Sequence, residues 1–152
     1  MSAANPASIH ASAVLVGARA LLIRGPAGCG KSRLALALID AATQGVLRFA
    51  RLVTDDRAEL EARHGRLLVR PPAPIRGLIE LRGLGIRRVP FEPVAVVGLV
   101  VDLAAADAQR LPGPEVREIK LEGVSLPRMA VPPEADPLPL VLAAITLPDP
   151  GF

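Results

Sequence analysis

Several residue types and patterns are scarce in this chain of 152 residues. Cys29 is the single cysteine, so no internal disulfide can form. Aromatic residues make up 2% of the sequence, with no Trp or Tyr, while hydrophobic residues make up 51%, so the core must be aliphatic. No apolar run approaches the length of a membrane span, and residues 1–9 lack the basic and apolar regions of a signal peptide. We therefore expect a cytoplasmic chain without a membrane-spanning segment.

The charge of the chain discriminates little between classes of partner. The net charge is +3 and the sequence pI is near 10.0. Because the arginines are scattered, with no basic run interleaved with aromatic residues, nucleic-acid binding is disfavoured. An anionic nucleotide, an acidic protein partner or solubility alone accounts equally well for the mild positive balance. The length predicts one domain over residues 9–152, preceded by a small, polar and flexible segment, residues 1–8.

The strongest signal is a glycine-rich loop, residues 25–32, which fits the pattern G-x-x-x-x-G-K-S. It lies between an apolar run, residues 20–23, that predicts a buried strand, and residues 33–42, which predict a helix. Its glycines allow backbone N–H groups to point at phosphate oxygens, and the helix adds its positive N-terminal end. The loop therefore predicts a nucleotide-phosphate site formed by Gly25, Pro26, Ala27, Gly28, Cys29, Gly30, Lys31 and Ser32.

Two residues of the loop have expected roles of their own. Lys31 is expected to reach the β- and γ-phosphates, and the Ser32 hydroxyl to ligate the magnesium ion that bridges them. Cys29 occupies a variable position of the motif and is interpreted as a small filler. A redox or nucleophilic role for Cys29 is the less favoured alternative, since a helix N-terminus lowers the pKa of a nearby thiol.

The remaining elements indicate an α/β chain with a mixed sheet. Residues 9–17 and 19–24 predict a hairpin leading into the loop, and a second hairpin is predicted around His64-Gly65. Further strands are predicted at residues 51–54, at 116–121 and in an apolar run that ends at Asp102, with a final helix at 138–147. Strands outnumber helices, which favours a mixed sheet over an all-parallel one.

Asp55 and Asp56 follow the strand that comes after the loop helix. Neighbouring residues on a strand point to opposite faces, so one carboxylate can face the nucleotide while the other anchors the scaffold. An ionised carboxylate near magnesium and the transferred phosphoryl group can accept the proton of an attacking hydroxyl. The alternative interpretation is a pair of turn-capping aspartates.

These residues together carry a resemblance to a known family. His10-x-Ser12, the glycine-rich loop, Val53-x-Asp55-Asp56 and the segment Glu80-Leu81-Arg82-Gly83-Leu84-Gly85-Ile86 follow one another in the order typical of the HPr kinase/phosphorylase catalytic domain. The resemblance covers residues 10–131, and the segment at 80–86 is its most specific part. The chain resembles the short form of the family, which lacks the N-terminal domain of the longer members.

The resemblance implies a fold, a reaction and a site. The fold would be a phosphate-loop α/β domain with a mixed sheet and flanking helices, related to phosphoenolpyruvate carboxykinase. The reaction would transfer the γ-phosphoryl group of ATP to a serine of the phosphocarrier protein HPr, and remove it with inorganic phosphate. Asp55 would be the base, tuned by His10, and Lys31 would hold the phosphates, while magnesium would be bound by Ser32, Asp56 and Glu80. A homo-hexamer is also implied.

The roles of Arg82 and Arg128, and the absence of one family segment, leave alternative interpretations open. Arg82 either contacts phosphate or the acceptor protein, or pairs with a carboxylate. The Gly-Arg-Asn segment that the family carries after a proline is absent near Pro127, which favours the kinase direction, although Arg128 could replace the family's arginine in space.

Two other functions remain as alternatives to the serine kinase. One is a regulatory module that binds nucleotide, together with a phosphocarrier or a sensor kinase, without catalysis. The least favoured is a small-molecule kinase, because the chain has no arginine-dense segment to serve as a lid.

Overall fold

Ten strands and two α-helices make up the part of the chain that the computed structural model describes, residues 6–148. A single turn of 3-10 helix, Ala73–Ile75, precedes the sixth strand. The elements, in chain order, are β1 (Ala7–Val16), β2 (Arg19–Arg24), α1 (Lys31–Thr43), β3 (Ala50–Thr54), β4 (Arg57–Arg63), β5 (Arg66–Arg70), β6 (Leu78–Leu81), β7 (Gly85–Arg88), β8 (Ala95–Asp102), β9 (Glu118–Leu121), β10 (Val124–Ala130) and α2 (Pro137–Thr146).

Eight of the strands pair in one sheet that is mixed, as expected, and that closes on itself. β1 pairs antiparallel with β2 and β4, β4 with β5, and β5 with β8. β8 runs parallel to β2 and so completes a ring of five strands. β3 extends the sheet from β1, and β10 with the edge strand β9 extends it from β8. β6 and β7 form a separate two-stranded sheet.

The closed sheet separates two aliphatic cores, and β2 contributes to both. Leu22 faces the inside of the ring, whereas Leu21 and Ile23 face the core outside it, as the alternation of side chains along a strand requires. β2 is therefore buried on both faces, which explains why its sequence is a continuous apolar run. This strand carries the glycine-rich loop at its end, so the loop is attached to a strand that is buried on both faces.

The outer core lies between the sheet and the two helices. Leu34, Leu38 and Ala41 form the buried face of α1, at the helical spacing of three to four residues. Val141 of α2 packs into the same core and is fully buried. α2 begins at Pro137, and the Asp136 side chain accepts the Leu138 N–H at 3.1 Å, an N-cap followed by proline in the first helical position.

The element predictions need five corrections. Ala7 and Ser8, expected in a flexible segment, belong to β1 because they pair with β4; residues 1–5 of that prediction lie outside the described residues. β3 ends at Thr54, so both aspartates lie in the turn before β4 and not on the strand. β9 begins at Glu118, since the turn at Gly113 continues to the N–H of Arg117. Neither β10, in which Pro127 interrupts the pattern, nor the β6–β7 hairpin, whose strands have only four residues each, is predicted from the sequence.

No helix within residues 6–148 has both the length and the apolar character that crossing a membrane requires.

Candidate functional site

The glycine-rich loop joins β2 to α1 and leaves the start of the helix without a side-chain cap. Gly30 is the N-cap residue, with φ of 100°, a left-handed conformation that glycine adopts without strain. No side chain accepts a hydrogen bond at this cap, and the first turn of α1 contains no acidic residue. The first N–H groups of the helix thus remain available, together with the positive end of its dipole, for an anion.

Gly25 is packed closely against its neighbours. A Cβ atom at this position would lie 2.6 Å from the Cys29 Sγ atom and 3.1 Å from the Leu103 carbonyl oxygen. Cys29 is half-buried and its thiol occupies the space beside Gly25, which agrees with the interpretation of this residue as a filler. The contact with Leu103 joins the loop to the end of β8.

Lys31 is a buried cation whose partners in the described chain are carbonyl oxygens. Its side chain is only 7% exposed, and Nζ donates hydrogen bonds to the carbonyl oxygens of Gly25 at 2.9 Å and Pro26 at 3.2 Å. No carboxylate within residues 6–148 lies within ion-pair distance of this ammonium group. A buried charge that is satisfied by neutral carbonyls alone is well placed to bind an anion entering the loop.

Asp55 collects three hydrogen bonds from three different parts of the chain. The hydroxyls of Ser12 and Ser32 donate to Oδ1 at 2.8 Å and 2.6 Å, and the backbone N–H of Glu80 donates to Oδ2 at 3.0 Å. The carboxylate is only 4% exposed. Asp55 therefore connects β1, the first turn of α1 and β6, and brings together the predicted residues Ser32 and Glu80.

Ser12 is a site residue whose role the sequence alone does not predict. Besides donating to Asp55, its Oγ atom accepts the backbone N–H of Asp56 at 3.1 Å. The sequence signal for this role is a serine between two alanines in an apolar strand. Such a serine is expected to be buried, as Ser12 is, and a buried hydroxyl needs a hydrogen-bond partner.

The other predicted residues lie around this centre. Asp56 is exposed and has φ of 68°, so the chain turns sharply there and the two aspartates differ in burial. Glu80 is exposed on β6. The His10 side chain is exposed, lies on the same face of β1 as Ser12, and makes no hydrogen bond or ion pair with any residue that the structure describes.

The site contains oxygen donors that suit magnesium. No cluster of three His, Cys, Asp or Glu side chains able to hold a metal is present in the described chain. Magnesium does not require one, since it is usually bound by one or two carboxylates together with substrate phosphates and water. Ser32, Asp56 and Glu80 carry oxygen ligands of this type, and two of them contact Asp55, Ser32 through its hydroxyl and Glu80 through its backbone N–H.

Arg82 lies over the glycine-rich loop. Its Nη2 atom would be 3.4 Å from a Cβ atom built on Gly28. Arg82 is exposed and forms no ion pair with a carboxylate within the described residues. Of the two alternatives for this residue, the position favours contact with phosphate or an acceptor over a structural ion pair.

A network of charges lies beside the loop, next to its first residue. Arg24 donates two hydrogen bonds to Asp102, from Nε and Nη2, each at 2.8 Å, and Arg128 Nε donates to Asp102 Oδ2 at 2.6 Å. Arg128 also donates to both oxygens of Asp107, at 2.8 Å and 3.0 Å. These residues line a cavity of about 540 Å³ together with His10 and Gly25.

The network sets the charge state of its members. Burial raises the pKa of the Asp102 carboxyl, but hydrogen bonds from Arg24 and Arg128, with their charges, outweigh burial and leave it below its ordinary value of 3.8. Arg128 donates to two carboxylates, so it is engaged within the protein and not directed at an anion in the cavity.

We predict that Asp102→Asn destabilises the protein by about 2 kcal/mol, because an amide N–H would then face an arginine N–H in a buried position. Chemical denaturation at pH 7 measures this change. Because folding lowers the pKa of Asp102, its ion pairs stabilise the protein fully above pH 3.8, the ordinary pKa of the carboxyl. This stabilisation is lost as the pH falls through the lower pKa that Asp102 has in the folded protein. The difference in the free energy of unfolding between wild type and variant should therefore shrink below about pH 3.8.

Asp107→Asn is the matched control. Asp107 is exposed, so its replacement should change the free energy of unfolding little, and a loss equal to that of Asp102→Asn would contradict the account.

Comparisons with known proteins bear on the same residues. Residues 2–135 match the family model described as HPr Serine kinase C-terminal domain. The chain is 30% identical over 147 residues to an HPr kinase/phosphorylase of Streptococcus thermophilus, a match that covers 85% of this chain and 43% of that protein. It is 32% identical over 136 residues to the HPr kinase/phosphorylase of Halalkalibacterium halodurans, with 82% and 42% covered.

A solved structure has a similar fold. The Hpr(Ser) kinase/phosphatase of Coxiella burnetii superposes with a TM-score of 0.74 at 26% sequence identity, over 91% of this chain and 88% of that one. The protein is thus a mixed α/β domain with the architecture of an HPr kinase structure. The chain belongs to the family of HPr serine kinase C-terminal domains. It spans less than half the length of these two curated relatives.

Proposed function

We propose that the protein is an ATP-dependent kinase that phosphorylates a serine of an HPr-like phosphocarrier protein in the cytoplasm. The observation that carries the proposal is the convergence on Asp55 of the Ser32 hydroxyl and the Glu80 N–H, directly beside an uncapped helix N-terminus. Such a site places a carboxylate, a hydroxyl ligand and an anion-binding loop within one small region. Membership of the family supports the same reaction.

The phosphates of ATP would bind in the glycine-rich loop. The free N–H groups at the start of α1 and the Lys31 ammonium group supply positive charge there. Magnesium would be held by Ser32, Asp56 and Glu80, directly or through water, and would neutralise charge on the phosphates. Arg82, which lies near Gly28, would add a further positive charge above the loop.

Asp55 would act as the general base. Oδ1 already accepts two hydroxyl hydrogens, whereas Oδ2 accepts only the Glu80 N–H and retains room for a second donor. The acceptor serine would donate its hydroxyl proton to Asp55 as its oxygen bonds to the γ-phosphorus and the bond to the bridging oxygen of ATP breaks. His10 would adjust the behaviour of Asp55 from the same face of β1 as Ser12.

We propose the kinase direction as the main activity. Removal of the phosphate with inorganic phosphate requires a site for a second anion, and the family's Gly-Arg-Asn segment is absent from the chain. Arg128 is the nearest substitute in sequence, but it is held by Asp102 and Asp107. The assembly we propose is a homo-hexamer, as the family resemblance implies.

A second candidate function is a nucleotide-binding regulatory module that binds a phosphocarrier or a sensor kinase without catalysis. The observation that favours it is the full engagement of Asp55 Oδ1, which is typical of a structural carboxylate. A module of this kind would bind ATP and form a stable complex with the carrier, yet transfer no phosphate.

The two candidates are separated by incubating the protein with γ-labelled ATP, magnesium and the HPr-like carrier of the same organism. The kinase predicts label on the carrier that depends on both ATP and magnesium and disappears with a chelator. The regulatory module predicts ATP binding and co-purification of the carrier with no transfer of label. No label under any magnesium concentration would exclude the kinase.

A further inference from the structure

The β6–β7 hairpin has one face turned toward the core and one that nothing in the described chain covers. In the register of the hairpin, Glu80 lies opposite Ile86, and Leu78 lies opposite Arg88, so these residues share a face. Ile79 is on the other face and is 1% exposed within the outer core. We call the first face the outer face of the hairpin, and it includes Glu80, Ile86 and Arg88.

The outer face exposes large apolar side chains beside the candidate site. Ile86 is 62% exposed, and Leu84, in the turn of the same hairpin, is 54% exposed. Single exposed apolar residues are ordinary on protein surfaces. These two are separated by one residue, and Ile86 lies across the hairpin from Glu80, whose N–H is bonded to Asp55. An exposed apolar surface therefore lies next to the candidate site.

The hairpin also carries exposed positive charges that have no carboxylate partner in the described chain. Arg88 and Arg82 are exposed, and neither forms an ion pair with a carboxylate within the described residues. By contrast, Arg51 and Arg70 on the main sheet are each paired with a glutamate. An acidic group on a binding partner would thus meet unpaired arginines on the hairpin.

We infer that the outer face of the hairpin is the docking surface for the acceptor protein, which presents an apolar patch flanked by acidic side chains next to its serine. The inference rests on the proposed function. The serine hydroxyl must come within hydrogen-bonding distance of Asp55, about 3 Å, for proton transfer. Ile86 lies across one strand pair from Glu80, a Cα separation of about 5 Å. The protein surface around the serine must then overlie Ile86 and Arg88.

The test compares three variants, Ile86→Ser, Arg88→Glu and the matched control Arg87→Glu. Arg87 is an exposed arginine on the same strand, but it lies on the opposite face, across from Ile79. We expect Ile86→Ser and Arg88→Glu each to raise the KM for the carrier about tenfold, with ATP affinity and melting temperature unchanged. Arg87→Glu should change this KM less than about twofold.

Ionic strength provides a second readout for the charged part of the surface. The KM of the wild type for the carrier should rise with salt, because added ions screen the attraction between Arg88 and an acidic partner. Arg88→Glu should show a weaker or reversed dependence. An equal salt dependence in the two proteins would overturn the electrostatic part of the inference.

The remaining outcomes also decide the matter. Unchanged carrier KM in Ile86→Ser and Arg88→Glu, with normal transfer by the wild type, overturns the docking surface and leaves the kinase intact. Altered ATP affinity would assign the face to the nucleotide, and altered mass in light scattering would assign it to an interface between copies of the chain. If the wild type transfers no phosphate, the proposed function fails, and direct titration of the carrier against wild type and Arg88→Glu still tests docking.

Discussion

Asp55→Asn is expected to lower the rate of phosphoryl transfer to the carrier about 10³-fold, the loss typical of a general base. The amide cannot accept the serine proton, although it nearly preserves the shape of the carboxylate. Its oxygen can still accept hydrogen bonds from Ser12 and Ser32, so the glycine-rich loop should keep its position, while the amide N–H group in place of Oδ2 faces the Glu80 N–H and costs about 2 kcal/mol of stability. Initial rates with saturating carrier, together with ATP affinity by calorimetry, measure the two effects separately.

The control for this substitution is Ser12→Ala. It removes one donor to Asp55 and the acceptor of the Asp56 N–H, but it leaves the carboxylate in place. We expect it to lower the rate by less than about tenfold, the effect of one hydrogen bond. If Asp55→Asn keeps the rate within tenfold of the wild type, Asp55 is a structural anchor. If it loses ATP binding instead, Asp55 acts through the metal or the loop.

Lys31→Met is expected to weaken the binding of magnesium-ATP about 100-fold, as the loss of a charge-assisted hydrogen bond to phosphate predicts. Methionine retains an unbranched apolar stem in this buried position, so the surrounding packing should be preserved. The hydrogen bonds to the carbonyls of Gly25 and Pro26 disappear with the ammonium group, at a cost in stability of about 1 kcal/mol. Calorimetric titration with magnesium-ATP measures the affinity directly.

Arg33→Met serves as the matched control for Lys31→Met. Arg33 is also a cation in the first turn of α1, but its side chain is exposed. Its replacement should change ATP affinity only a few-fold, since an exposed charge is screened by solvent. An equal loss of affinity in both variants would show that general positive charge, and not the buried ammonium group, binds the phosphates.

The parts of the fold that sequence alone predicted are those with local signals. β2, the glycine-rich loop and α1 follow each other without a gap, and their apolar spacing and glycines mark each boundary. The hairpin turn at His64-Gly65 was equally clear, and both residues have positive φ there. The mixed character of the sheet followed from counting strands against helices, and the sheet confirms it.

The parts that sequence did not predict depend on residues far apart in the chain. β2 and β8 are adjacent strands, yet the Arg24–Asp102 pair that joins their ends is separated by 78 positions. The hydrogen bond between Ser12 and Asp55 spans 43 positions. β10 was missed because Pro127, which lacks a backbone N–H, lies where the strand pairs with the edge strand β9. No local pattern encodes such pairings.

The central claim is that Asp55, the loop and magnesium together transfer phosphate to a serine of a phosphocarrier. The most direct test is a mass spectrum of the carrier after incubation with ATP and magnesium, with the modified residue mapped by fragmentation. The account predicts one phosphoryl group on a seryl residue with the wild-type protein, and none above background with Asp55→Asn. An unmodified carrier with the wild type, or equal phosphorylation by the wild type and Asp55→Asn, would contradict it.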